Sequence, residues 1–157
     1  MSKKIITDCD GVLLDWCYAY DIWMSEQGYQ RQPDTDHSFN QTVRYGISEE
    51  DMIDTIKSFK PDLIAASILE DAYEFCGNLL DAVKKNFDIP VVAGGVTPTL
   101  SPYVVMEHPS IDMVIQGEGE VALPELCVAL KNNKHLSEVP NLWYKEKLSS
   151  QITRLKD

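Results

Sequence analysis

The sequence predicts an α/β fold in three layers, with helices on both faces of a parallel sheet of four to five strands. Short apolar runs alternate along the chain with segments whose apolar residues recur at helical spacing. That alternation is typical of parallel strands joined by right-handed helical crossovers. With 157 residues the chain is long enough to bury one sizeable core, so a single α/β domain over residues 1–157 is expected.

The expected elements follow these runs in chain order. Strands are predicted over five short apolar runs: 4–7, 62–67, 89–93, 111–116 and 142–144. Helices are predicted over 16–27 with Gly28 as C-cap, after Ser48 as N-cap, and over 70–86, 102–106 and 121–132. The polar segment 30–41 predicts a loop or a lid, and the polar tail 146–157 is expected to fray.

Composition limits the classes of function. An apolar content of 44% indicates a globular protein, and a net charge of −11 makes nucleic acid or an anionic membrane an improbable partner. The charge favours solubility, with a cationic ligand, a metal or a basic protein partner as the alternatives. The four cysteines are too far apart for a zinc or iron–sulfur site: Cys9, Cys17, Cys76 and Cys127. No secretory leader or membrane-spanning run is evident, so a cytoplasmic location is expected.

Short segments that contain small or polar residues lie at the ends of three of the predicted strands. They are Ser67, Ile68 and Leu69, then Gly94, Gly95, Val96, Thr97 and Thr99, then Gly117, Glu118, Gly119 and Glu120. Because the carboxyl ends of parallel strands meet at one edge, these residues are expected to share a crevice. Glycines there allow a large flat ligand to approach the backbone. The alternative is that the glycines only form turns and that the glutamates are helix-start charges.

A family resemblance makes this expectation specific. Residues 52–145 resemble the cobalamin-binding domain of cobalamin-dependent radical S-adenosylmethionine (SAM) enzymes. The matching blocks, in order, are Lys60-Pro61-Asp62-Leu63-Ile64, Asp88-Ile89-Pro90-Val91-Val92-Ala93-Gly94-Gly95-Val96, Thr99-Leu100-Ser101-Pro102, Ile111 to Glu120, and Leu136 to Leu142. The resemblance implies a Rossmann-like domain that binds cobalamin through the twelve residues at the strand ends.

The sequence also departs from that family. Thr97 stands where the family often has His, and no Asp-x-His-x-x-Gly motif supplies an axial histidine. The three-cysteine cluster motif and the catalytic barrel of the radical SAM enzymes are not found in the sequence. The expected function is therefore a stand-alone cobalamin-binding module without catalysis of its own.

The N-terminal segment 1–50 resembles a different family. Ile5-Ile6-Thr7-Asp8-Cys9-Asp10-Gly11-Val12 is similar to the nucleophile motif of haloacid-dehalogenase-like (HAD-like) phosphohydrolases. That resemblance implies Asp8 as nucleophile, Asp10 as general acid and base, and Mg²⁺ held by both carboxylates. A turn capped by Asp10 is the structural alternative.

A phosphohydrolase needs further groups at the same edge. Ser67 fits the position of the hydroxyl on the next strand, and Lys84 or Lys85 is the candidate lysine. Glu118 and Glu120 lie where an acidic pair for the metal is expected. A Mg²⁺-dependent phosphohydrolase is therefore the alternative to the cobalamin module. A non-catalytic acidic domain that binds a basic protein is the second alternative.

Overall fold

The computed structural model describes residues 22–35, 44–46, 48–145 and 152–154. The chain divides into two compact units, Met1–Asp51 and Met52–Asp157. The predicted strand 4–7 and the candidate carboxylates Asp8 and Asp10 lie outside the described residues. The single domain predicted over the whole chain stays a prediction.

In the first unit, a helix covers residues 22–26 and ends as the sequence predicts. Gly28 has a φ of 90°, a left-handed conformation that glycine adopts without strain. The Gly28 amide donates to the Ser25 carbonyl at 3.0 Å, and the Tyr29 amide donates to the Met24 carbonyl at 3.0 Å. These bonds satisfy carbonyl groups that the last helical turn leaves free, so Gly28 is a C-cap.

The helix α1 covers Glu49–Phe59 and begins with a capping box. The Ser48 hydroxyl accepts from the Asp51 amide at 3.1 Å, and the Asp51 carboxylate accepts from the Ser48 amide at 2.8 Å. Each side chain thus satisfies a backbone donor that has no partner inside the helix. The predicted N-cap is confirmed. Hydrogen bonds from Ser48 lower the pKa of Asp51.

The Ser48→Ala variant is expected to lower the free energy of unfolding by about 1 kcal/mol, because it removes this cap. Because the pKa of Asp51 is lowered, its ionised form stabilises the fold at pH values above 3.8, the ordinary pKa of the group. This stabilisation is lost as the pH falls through the lowered pKa. The difference in the free energy of unfolding between variant and wild type should therefore become smaller as the pH falls below 3.8. Urea denaturation at several pH values measures this difference. Ser58→Ala, on the exposed surface of the same helix, is the control and should change little.

Within the described part of the second unit, five strands form a sheet in the order β1-β2-β3-β4-β5. The strands are β1 Ile64–Ser67, β2 Val91–Gly94, β3 Met113–Ile115, β4 Leu142–Lys145 and β5 Ile152–Arg154. The first three are parallel, with Ser67 opposite Gly94 and Ala93 opposite Val114. Their carboxyl ends therefore lie side by side.

Helices cover both faces of this sheet, which confirms the α/β fold. They are α2 Tyr73–Asn86 after a 3-10 turn at Glu70–Ala72, α3 Val96–Leu100, α4 Pro102–Glu107, and α5 Ala122–Lys131 before a 3-10 turn at Leu136–Glu138. One core cluster joins Val91, Ala93 and Val114 to α2 and α4. The other joins Val92, Met113 and Ile115 to α5. Neighbouring strand residues thus alternate between two cores, as the period of a strand requires.

The direction of the last strands differs from the prediction. β4 runs antiparallel to β3, and β5 runs antiparallel to β4, although a fully parallel sheet is expected from the sequence. The segment between α5 and β4 returns the chain to the carboxyl end of β3. There the backbone amide of Gln116 donates to the Asn141 carbonyl at 2.9 Å. β4 therefore starts at the end where β3 stops. Within the predicted tail 146–157, the structure describes residues 152–154, which form β5.

Candidate cofactor-binding edge

The carboxyl ends of β1, β2 and β3 and the turns that follow them form one continuous edge, here called the strand-end edge (residues 67–69, 94–101 and 116–121). All twelve residues predicted from the sequence to bind a cofactor lie on these three segments. The parallel register places the segments next to one another because Ser67 pairs with Gly94 and β2 pairs with β3. Their juxtaposition is observed, and their role in binding stays a prediction.

Gly95 forms the turn from β2 into α3. Its backbone has a φ of 102° and a ψ of −166°, a conformation that is essentially restricted to glycine. A Cβ there would lie 3.0 Å from the Ser67 hydroxyl, 3.1 Å from the Ile68 nitrogen and 3.2 Å from the Ile68 oxygen. The Ile68 amide donates to the Gly94 carbonyl at 2.8 Å, which keeps the two turns close. Gly95 is therefore required by the packing of the protein itself.

Three other glycines border open space instead. No atom of the described residues lies within 4 Å of a Cβ built at Gly94, Gly117 or Gly119. Gly117 has a φ of 88°, so its turn also favours glycine for conformational reasons. Backbone that borders open space at the end of a sheet allows a ligand to approach more closely than side chains would permit.

Large apolar side chains are exposed along the same edge. Leu69 is 56% exposed, Val96 56%, Leu100 77% and Val121 61%. Several large exposed apolar side chains on one edge of a globular unit are typical of a ligand or partner site. Ile68 differs, because its side chain is 1% exposed and belongs to the core cluster of α2 and α4. Only the backbone of Ile68 belongs to the edge.

The polar groups of the edge are acceptors and hydroxyls. Glu118 and Glu120 are exposed. The Thr97 hydroxyl oxygen is buried and has no hydrogen-bond partner within the part of the chain that the structure describes. No lysine, arginine or histidine occurs in the three segments. A site with this charge disfavours an anionic ligand and suits one that offers hydrogen-bond donors.

The side chains of Gln116 and Trp143 also belong to this region, although they are not among the twelve predicted residues. The Gln116 amide nitrogen donates to the Thr99 carbonyl at 3.1 Å, and its amide oxygen accepts from the Trp143 indole nitrogen at 3.1 Å. The Thr99 hydroxyl donates to the Gly95 carbonyl at 2.7 Å and accepts from the Gly117 amide at 3.0 Å. The signal for Gln116 is its position as the first polar residue after a buried apolar run.

The phosphohydrolase lysines do not reach the strand-end edge. Lys84 donates to the Ile89 carbonyl at 2.8 Å and pairs with the Asp112 carboxylate at 2.5 Å. Ile89 and Asp112 precede β2 and β3, so Lys84 lies at the amino end of the sheet, and neighbouring Lys85 is in the last turn of the same helix. Ser67 follows β1 at the other end. The expectation that either lysine accompanies Ser67 is wrong.

Further hydrogen bonds join the segments at the amino end of the sheet. Asp112 also accepts from the Val91 amide at 2.7 Å, and Lys145 donates to the His108 carbonyl at 2.6 Å. Burial lowers the pKa of Lys145. Among the described residues, no group of three His, Cys, Asp or Glu side chains is arranged to hold a metal ion.

A comparison with protein families bears on the first of the two resemblances. The model of the B12 binding domain matches residues 24–127, which is more than half of the chain. The chain belongs to the B12 binding domain family. The match begins inside the segment 1–50, so it includes part of the region that resembles phosphohydrolases. The HAD-like character of that segment stays a prediction, as does the basic protein partner.

Relatives of this B12 binding domain are much longer proteins. An uncharacterized methyltransferase of Pyrococcus horikoshii is 35% identical over 112 residues, which cover 64% of this chain and 23% of that protein. The anaerobic magnesium-protoporphyrin IX monomethyl ester cyclase of Rubrivivax gelatinosus is 29% identical over 66% of this chain and 19% of its own length. The chain thus spans about a quarter or less of these relatives.

Solved structures share the fold. The radical S-adenosylmethionine methyltransferase TsrM from Kitasatospora setae, with cobalamin and a [4Fe-4S] cluster bound, has a TM-score of 0.62 at 18% identity, over 88% of this chain and 25% of that one. The cobalamin-dependent S-adenosylmethionine radical enzyme OxsB, with aqua-cobalamin bound, has a TM-score of 0.58 at 24% identity, over 69% and 15%. No helix among the described residues of this chain is long and apolar enough to cross a membrane.

Proposed function

We propose that the strand-end edge binds cobalamin and that the chain is a binding module without catalysis of its own. The open backbone at Gly94, Gly117 and Gly119 carries this proposal, because it leaves room for a large ring against the ends of β2 and β3. Membership of the B12 binding domain family supports the choice of cofactor.

The residues of the edge fit the chemistry of a corrin ring. Its flat face is largely apolar, which suits the exposed side chains of Leu69, Val96 and Leu100. Its rim carries amide groups whose N–H bonds suit the carboxylates of Glu118 and Glu120 as acceptors. The buried Thr97 hydroxyl, which has no partner among the described residues, would gain a hydrogen bond from a polar group of the cofactor or from a bridging water.

The bound cofactor supplies a cobalt centre for alkyl-group or radical chemistry, while the protein supplies binding and orientation. We infer methyl transfer as the reaction that the module serves, since the Pyrococcus horikoshii relative and TsrM are described as methyltransferases. The cysteines of this sequence are too far apart for an iron–sulfur cluster motif. A separate catalytic domain is therefore the proposed partner.

Purified protein mixed with excess hydroxocobalamin and then desalted is expected to retain the chromophore of the cofactor. The visible spectrum of the desalted protein should show saturable uptake approaching one cobalamin per chain. Haemin is the matched control, because it is also large and flat but carries carboxylates that the acidic edge disfavours. A colourless protein, or equal retention of haemin, would count against the proposal.

A further inference from the structure

We infer that Gln116 is a positioning residue that sets the separation between the turns after β2 and β3. The inference rests on the proposed function where it concerns cobalamin, because Gly94, which precedes the first turn, and Gly117, within the second, are proposed to border the ring. In the free protein, exchange of the Gly117 amide with solvent reports on the separation of the turns. The Kd for hydroxocobalamin reports separately on binding.

Thr99 is the link between the two turns. Its hydroxyl donates to the Gly95 carbonyl at 2.7 Å and accepts from the Gly117 amide at 3.0 Å. One side chain therefore joins the backbone of both glycine turns. A displacement of residue 99 would change the distance between them.

Gln116 holds Thr99 through the backbone carbonyl, to which its amide nitrogen donates at 3.1 Å. Gln116 itself is anchored next to β4, because its backbone amide donates to the Asn141 carbonyl at 2.9 Å. The side chain thus connects the end of β3 with the far end of α3. Gln116 and Thr99 are half-buried, so these bonds are partly shielded from water.

Trp143 determines which way the Gln116 amide faces. An indole nitrogen can only donate a hydrogen bond, so it must face the amide oxygen, as the 3.1 Å contact shows. The amide nitrogen is then directed to the Thr99 carbonyl. Since β4 is antiparallel to β3, Trp143 lies opposite Val114 in the register, beside the end of the strand that carries Gln116. The last strand thereby contributes to the geometry of the edge.

The Gln116→Glu variant tests the inference with almost no change of shape. One carboxylate oxygen can still accept from Trp143, but the other would face the Thr99 carbonyl without a proton, so two acceptors would repel each other. In the free protein, the Gly117 amide should exchange with solvent about tenfold faster, and the Kd for hydroxocobalamin should rise about tenfold. Both effects should diminish at a pH low enough to protonate Glu, which can then donate.

Two further variants separate positioning from general damage. Asn132→Asp makes the same chemical change where an exposed amide donates to the Val128 carbonyl at 2.8 Å, far along α5, and should leave both measurements unchanged. Trp143→Phe removes the indole donor together with part of the ring, introduces no repelling acceptor, and should weaken binding less than Gln116→Glu does. Wild-type exchange and affinity in Gln116→Glu would overturn the inference. If the wild type does not retain hydroxocobalamin, the proposed function fails, while slow Gly117 exchange that Gln116→Glu accelerates would still support the positioning role.

Discussion

The Gly94→Leu variant is expected to lose cobalamin retention while it keeps the stability of the wild type. Gly94 ends β2 opposite Ser67, and its φ is not in the left-handed region, so a side chain is compatible with its backbone. No atom of the described residues lies within 4 Å of the added Cβ. The leucine side chain would then occupy the space proposed for the corrin ring. Overlap with a ligand in a preformed site should weaken binding by about 100-fold or more.

Visible absorbance after desalting measures the loss, and thermal unfolding of the same sample measures the fold. Lys85→Leu adds an exposed leucine at the end of α2, near the amino end of the sheet, and should retain cobalamin like the wild type. Full retention by Gly94→Leu would show that the ring does not lie over the end of β2. A lowered melting temperature would instead show that the space at Gly94 is used by the protein itself.

The parallel part of the fold could be predicted because its strands form continuous apolar runs, as strands of a covered parallel sheet do. The runs within 62–67, 89–93 and 111–116 are where β1, β2 and β3 occur. All of β3 and the first three residues of β2 are buried, whereas β1 alternates between half-buried and exposed residues. The direction of β4 could not be predicted, because Leu142-Trp143-Tyr144 has the same pattern in either direction. It depends on the path of the segment after α5, which local periodicity does not describe.

The juxtaposition of the three strand-end segments could be predicted, whereas the surroundings of single residues within them could not. A Gly-Gly pair after a strand indicates a turn, but the sequence does not say which glycine has the positive φ and which borders open space. The structure assigns the first role to Gly95 and the second to Gly94. Likewise, the burial of Ile68 depends on α2 and α4 packing over β1. The bond between Gln116 and Trp143 depends on the unpredicted antiparallel pairing.

The Gly95→Ala variant is expected to be destabilised, in contrast to the matched Gly94→Ala variant. The backbone conformation at Gly95, with a φ of 102°, costs a residue with a Cβ about 1–3 kcal/mol. The Cβ would also lie 3.0 to 3.2 Å from the Ser67 hydroxyl and the Ile68 backbone. Two of these three atoms are backbone, which relieves crowding only by moving the end of β1. The free energy of unfolding should therefore fall by about 3 kcal/mol in total.

Urea denaturation measures the difference in the free energy of unfolding between the two alanine variants. Hydroxocobalamin titration, under conditions where both variants are folded, measures how each substitution changes the affinity of the site. Gly94→Ala should change the free energy of unfolding by less than about 1 kcal/mol, because its methyl group meets open space. Equal stability of the two variants would contradict the assigned roles. Since the Gly95 turn places Thr97 and Thr99, a folded Gly95→Ala protein should bind cobalamin weakly through a displaced turn. Gly94→Leu, by comparison, should lose cobalamin because the leucine side chain overlaps with the cofactor, while the Gly95 turn stays intact.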